Sequence, residues 1–169
     1  MFVWVLAVHV LAGLTCVVSA TGASLARKRA GAHPGWGRVY LGALAVVTGS
    51  AIAMTALRWP ADVHLAAIAV VAAGLAGFGW RARRRHRPGW AARHAIGLGG
   101  SFAALLTGFY VDNGPRLPVW DRLPHATYWL LPPVVAAVLI RRALHRFTAG
   151  AGPRPPAAAP PAARPAPPQ

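Results

Sequence analysis

Seven histidines are the chemistry this chain has to offer. They stand at positions 9, 33, 64, 86, 94, 125 and 145, among only three carboxylates (Asp62, Asp112 and Asp121) and one thiol, Cys16. Neutral imidazole is a ligand for transition metals, and close to neutral pH it also carries protons. No phosphate-binding glycine loop, paired-carboxylate arrangement or nucleophile motif accompanies them, so hydrolytic chemistry has nothing to stand on. Any site is built on histidine, and the question becomes which elements bring the rings together.

Composition says what those elements are. Of 169 residues, 56% are hydrophobic and 12% charged, about half the charged share of a soluble domain. So much apolar surface excludes disorder for most of the length. The lone cysteine excludes an intramolecular disulfide scaffold. Eighteen Lys and Arg against three acids give a formal charge of +15. In a soluble chain that would suggest nucleic acid. Here the charges fall in short clusters between long apolar runs, which is the pattern of a membrane protein, with lipid rather than nucleic acid as the expected neighbour.

A spanning helix needs about 20 mostly apolar residues. Five stretches meet or approach that: residues 2–25, 37–57, 63–80, 92–111 and 125–140. The fifth is short and contains Pro132 and Pro133, which should kink it. Residues 1–147 therefore read as one all-α integral membrane bundle of five helices. Fifteen Lys and Arg fall on one side of the alternating spans, and only Arg58, Arg116 and Arg122 on the other, together with every acid. Basic residues favour the cytoplasm, which predicts an N-terminus outside and a C-terminus inside. Arginine outnumbers lysine seventeen to one, a coding bias of GC-rich bacterial genomes, so the expected location is the bacterial inner membrane. No charge precedes the first apolar run, as a cleaved signal peptide would require. Gly13 stands where a lipoprotein signal wants a large apolar residue, so Cys16 reads as a buried thiol. Residues 148–169 are rich in Pro and Ala and read as a disordered cytoplasmic tail.

Small residues let helices approach closely in lipid. Steps of three and four pick out one face per helix: His9, Gly13, Cys16, Ala20 on the first; Gly42, Ala45, Gly49, Ala53, Ala56 on the second; His64, Ala67, Val71, Gly74, Phe78 on the third; His94, Gly97, Ser101, Ala104, Gly108 on the fourth. The seven tryptophans mostly fall near span ends, as interfacial anchors do. His33-Pro34-Gly35-Trp36 and His86-Arg87-Pro88-Gly89-Trp90 each lead into a span, and both His33–His64 and His94–His125 are 31 apart. Such spacing is what two parallel copies of a helical hairpin would leave, or chance.

On this layout the histidines form two layers. His64, His125 and His9 lie toward the outer side, His33, His86, His94 and His145 toward the inner. Histidines on facing helices with small residues nearby are the plan of membrane b-type cytochromes. That makes His9, His33, His64, His94 and His125 candidate ligands for haem b and electron transfer the corresponding role. Asp62, His64, Asp121 and His125 offer a second set, a divalent metal site on the outer face. The plain alternative caps helices with Asp62 and Asp121 and anchors the interface with histidine.

From His33 to about Val111 the chain resembles a group of small bacterial membrane proteins catalogued as domain of unknown function 2306. The matching residues are His33 followed by Gly37-Arg38-Val39-Tyr40, then His64 opening the next helix, then a basic loop, Arg83-Arg84-Arg85, with a further histidine that is either His86 or His94. The methionine that follows that histidine in the family pattern is missing. The resemblance implies a multi-helix membrane protein and brings no activity with it. Three roles stay open on the sequence: a haem protein, a cofactor-free subunit that binds a membrane partner or a second copy of itself, and a proton-coupled transporter component. None of these is an enzyme, and the near absence of polar residues inside the spans weighs against the third.

Overall fold

A computed structural model describes residues 1–26 and 31–149, with no side-chain account of 146–149. Its described residues form five long helices and no strand: α1 Phe2–Leu25, α2 Ala32–Leu57, α3 Val63–Arg85, α4 Trp90–Asn113 and α5 Ala126–Ala149. Two single 3-10 turns, Gly114–Arg116 and Trp120–Arg122, join α4 to α5. At 1.5 Å per residue each long helix reaches about 35–39 Å, and all five are long and apolar enough to cross a membrane. The expected tail falls almost wholly on residues 150–169, outside the described residues.

Three helices outrun their apolar cores. The second starts five residues before Gly37, the third continues through Arg81, Arg83, Arg84 and Arg85, and the fifth runs past Ile140 to Ala149. Hydropathy ends a span where arginine begins, but an arginine stem can lie along the helix while its head reaches the interface. Arg84 lies along the helix with its guanidinium over the Trp80 ring, 4.6 Å from its centroid. Pro34 sits in the first turn of α2, where the missing N–H is no loss. Pro132 and Pro133 lie inside α5 without ending it. There the carbonyls of Tyr128 and Trp129 forgo their usual i+4 donors.

The closest partners are α1 with α2 and α3 with α4; α4–α5 and α2–α3 pack more lightly, and α1 reaches α4. The result is a four-helix unit, α1–α4, with α5 leaning chiefly on α4. Cys16, Tyr40, Leu44, Val47, Ala72 and Ala76 form its buried centre, with Leu98 and Phe102 packed against it. The thiol of Cys16 is fully buried, as expected. His94 follows His33 by 61 positions, and α3 (from residue 63) follows α1 (from residue 2) by the same 61. The repeat expected from the 31-residue spacing would pair α2 with α3 and α4 with α5, whereas the tightly packed pairs are α1–α2 and α3–α4.

The predicted faces fare unequally. On α4, Gly97 and Ser101 are buried as expected. On α2 the expected face is turned away: Gly42, Ala45, Gly49 and Ala56 are exposed, and Tyr40, Leu44, Val47, Ser50, Ala51 and Thr55 point inward. On α3, His64, Ala67, Val71, Gly74 and Phe78 are all exposed, and Ala69, Ala72, Ala76 and Gly79 are buried. Both helices carry small residues all round, so small-residue spacing alone selects no face. The centre of four helices needs volume, which Tyr40 and Leu44 supply. Small residues matter only where backbones touch, and that place is the α3–α4 crossing. A Cβ built on Gly97 would lie 2.6 Å from Gly79 Cα and 2.8 Å from the Leu75 carbonyl oxygen.

Three buried hydroxyls bond within their own helices. Ser19 donates to the Thr15 carbonyl (2.6 Å), Ser50 to Val46 (2.7 Å) and Thr107 to Ala103 (2.9 Å). This back-bonding lets a hydroxyl sit in an apolar environment without an unpaired donor.

Candidate functional site

At one end of the bundle, the basic end, lie the start of α2 and the turn between α3 and α4, and these set the histidines there. The α3–α4 turn is tight: His86 (φ 44°) and Gly89 (φ 76°) both adopt the left-handed conformation. Four residues into α4, His94 faces back toward α3, and its Nδ1–H donates to the Gly79 carbonyl at 3.1 Å. His33, the second residue of α2, makes the equivalent bond to α1, donating from Nδ1 to the Ala23 carbonyl at 2.8 Å. A carbonyl can only accept, so in both rings the proton is on Nδ1. The neutral tautomer then carries its lone pair on Nε2, the form in which histidine ligates a metal while its other nitrogen is held by a second partner.

These two rings, one from α2 and one from α4, come together. Their centroids are 6.2 Å apart and their planes 75° from parallel. A ring nitrogen lies about 2 Å from a bound metal and about 1.1 Å from its own ring centre, so two imidazoles on opposite sides of one metal, each nitrogen aimed at it, have centroids about 6.3 Å apart. Seven residues further along each helix, Tyr40 and Ser101 close the space beneath: their hydroxyls hydrogen-bond at 2.8 Å, and Phe102 packs edge-on against the Tyr40 ring. Nothing in the sequence pairs Tyr40 with Ser101 directly, but each stands seven after a histidine, and that shared step is the signal that could have found them. Removing the phenol oxygen with Tyr40→Phe leaves Ser101 a buried hydroxyl without its partner. We expect a loss of about 1 kcal/mol, in the range for interhelical hydrogen bonds in membranes, measured by unfolding in mixed micelles.

The second layer of histidines does not assemble. His9 hydrogen-bonds Ser50 on α2 at 2.9 Å. His64 lies on an exposed face with its ring 6.4 Å from Trp129 on α5. His125 precedes α5 and meets Tyr128 edge-on at 5.5 Å. Among the described residues, no two of these three face each other. Of the two alternatives in the basic loop, His86 is exposed beside Trp90, 5.0 Å between ring centroids, and His94 is the one inside the bundle.

The alternative metal set is likewise dispersed. Among the described residues no group of three or more His, Cys, Asp or Glu side chains is placed to hold a metal ion. Asp62 stands at the start of α3 but makes no side-chain cap; it pairs with Arg58 at 3.4 Å. Asp121 lies in the 3-10 turn Trp120–Arg122, not at the start of α5. Pro118 and Pro124 break the chain around it, so Asp121 and His125 do not share a helical turn.

A second feature lies between α3 and α5, which both lean on α4 and leave a groove of about 1060 Å³. His64 and Trp129 mark one end, Arg141 and His145 the other, and the walls between are almost wholly apolar. Comparisons with family models, with curated proteins and with solved structures return no match. The reading of both features rests on their own geometry.

Proposed function

We propose that this chain is a multi-pass protein of the bacterial inner membrane that holds one b-type haem between His33 and His94 and serves in electron transfer. The observation that carries this reading is the pair of imidazoles, each fixed through Nδ1 to a backbone carbonyl, with ring centroids 6.2 Å apart. The donor set fits haem iron, which takes two neutral imidazoles and needs no third protein ligand. Bound there, haem would supply a one-electron couple. Arg38, five residues after His33 on α2, and Arg93, next to His94 on α4, would supply positive charge at the same end of the bundle.

The charge asymmetry supports the topology in this proposal: the basic end, with the histidine pair, faces the cytoplasm and the N-terminus lies outside. The resemblance of residues 33–111 to domain of unknown function 2306 belongs to the same proposal, with His94 rather than His86 as the matching histidine. A second reading has its own observation. The two Nδ1 bonds tie α2 to α1 and α4 to α3, so the histidines would be latches in a cofactor-free subunit that binds a membrane partner.

The test is a reduced-minus-oxidised visible spectrum of the full chain, purified in detergent from cells supplied with a haem precursor. Soret and α bands of low-spin haem b, at one haem per chain, are expected. A folded, colourless preparation sinks the haem reading and leaves the latch.

A further inference from the structure

The groove between α3 and α5 raises a separate question, since a gap of this size in a membrane is filled by something. Its middle is lined by Leu75, Gly100, Ala104 and Ala137, and its one hydroxyl, on Thr107, is already bonded to the Ala103 carbonyl. A ligand with polar groups along its length would find no partner there; a hydrocarbon chain needs none. The basic end is different. Arg141 lies in the groove wall with its Nε–H directed to His145 Nε2 at 3.5 Å, and exposed Arg142 follows it in sequence. Basic pockets between spanning helices at the interface suit phosphate headgroups.

We infer that the groove is a binding site for one anionic phospholipid, its phosphate on Arg141 and Arg142 and one acyl chain lying along α4 between α3 and α5. The dimensions agree. Half the hydrocarbon thickness is about 15 Å, which matches about ten residues of α5 counted back from Arg141. Within that length the α5 wall is built from Pro133, Ala136, Ala137 and Ile140. The two alanines leave room on the α5 side, and Gly100 on α4 meets the Leu75 side chain at the groove floor, where an added Cβ would lie 3.4 Å from Leu75 Cδ1. The site is independent of the histidine pair.

Native mass spectrometry of the delipidated full-length chain, given equal amounts of phosphatidylglycerol and phosphatidylcholine, tests this. One phosphatidylglycerol is expected to outlast collisional activation while phosphatidylcholine leaves. Arg141→Ala and Arg142→Ala should each lower that retention about fivefold. Arg116→Ala and Arg122→Ala, at the opposite end, should not change it. Ala137→Phe, at an exposed position, should block the groove and remove the adduct with helicity unchanged. Equal retention of the two lipids overturns the inference. So does an adduct indifferent to Ala137→Phe, or a groove closed by a second copy of the chain, seen as a dimer that Ala137→Phe dissociates.

Discussion

Gly97→Val is expected to part α3 from α4 and to cost the bundle about 3 kcal/mol, the upper range for overpacking a close-packed interior. The obstacle is backbone rather than side chain. A Cβ at position 97 would meet Gly79 Cα and N at 2.6 Å and the Leu75 carbonyl at 2.8 Å. A flexible neighbour could swing aside, but here one whole helix must move. That movement would also displace Gly79, whose carbonyl orients His94, so on the proposed haem reading retention should fall along with stability. Gly79→Ala should act in the same direction, since its Cβ would meet the Leu98 backbone nitrogen at 2.9 Å. The comparison that gives the result meaning is Gly42→Ala and Gly49→Ala. Nothing lies within 4 Å of either added methyl, and alanine is the better helix former. Those variants should match or slightly exceed the parent in a detergent unfolding titration. Equal damage at positions 49 and 97 would mean that the α3–α4 crossing is not where the backbones meet.

Loss of the haem spectrum in His94→Ala and in His33→Ala, with His9→Ala, His64→Ala and His125→Ala unaffected, is the other large effect expected. Alanine also removes the Nδ1 bond, so it cannot separate a ligand from a latch. His94→Asn can: its amide N–H can still reach the Gly79 carbonyl, but it offers iron no imidazole. A folded, colourless His94→Asn protein marks His94 as a ligand. Full colour in that variant refutes the axial pair. His94→Met should keep some colour with a raised midpoint potential, as a thioether replacing imidazole does. The angle between the rings gives an independent readout. Near-perpendicular imidazole planes, 75° here, should produce the highly anisotropic low-spin signal in electron paramagnetic resonance, where parallel planes give a rhombic one.

The fold was legible in the sequence because lipid imposes one simple demand, a long apolar run closed by its own hydrogen bonds. The first helix begins and ends where hydropathy places it, and the others differ at ends that carry arginine or polar turns. What stayed hidden was rotation. Gly42 and Gly49 look like a packing seam and face outward, because a helix with small residues on every side gives no preferred face. Gly97 and Ser101 fell on the buried face of α4 although Gly99 and Gly100 beside them are equally small. The site was legible as a list of histidines and not as a pair. His33 and His94 lie 61 positions apart, and only the approach of α2 to α4, locked by Tyr40 and Ser101, brings them together. Depth counting alone also put His9, His64 and His125 in one layer, yet rotation sends His64 to the groove and His9 to Ser50.

The peripheral position of α5 has a mechanical consequence. A tether on the C-terminus loads this helix first, and its main hold is α4 alone. Under force it should peel out as a separate step of about one helix length, at lower tension than anything after it. What remains is α1–α4, with Cys16, Tyr40 and Ala76 still buried and the two histidines still opposed. A single-molecule extraction trace should therefore show a small early rip followed by one large cooperative event, with the second event alone sensitive to His33→Ala and His94→Ala.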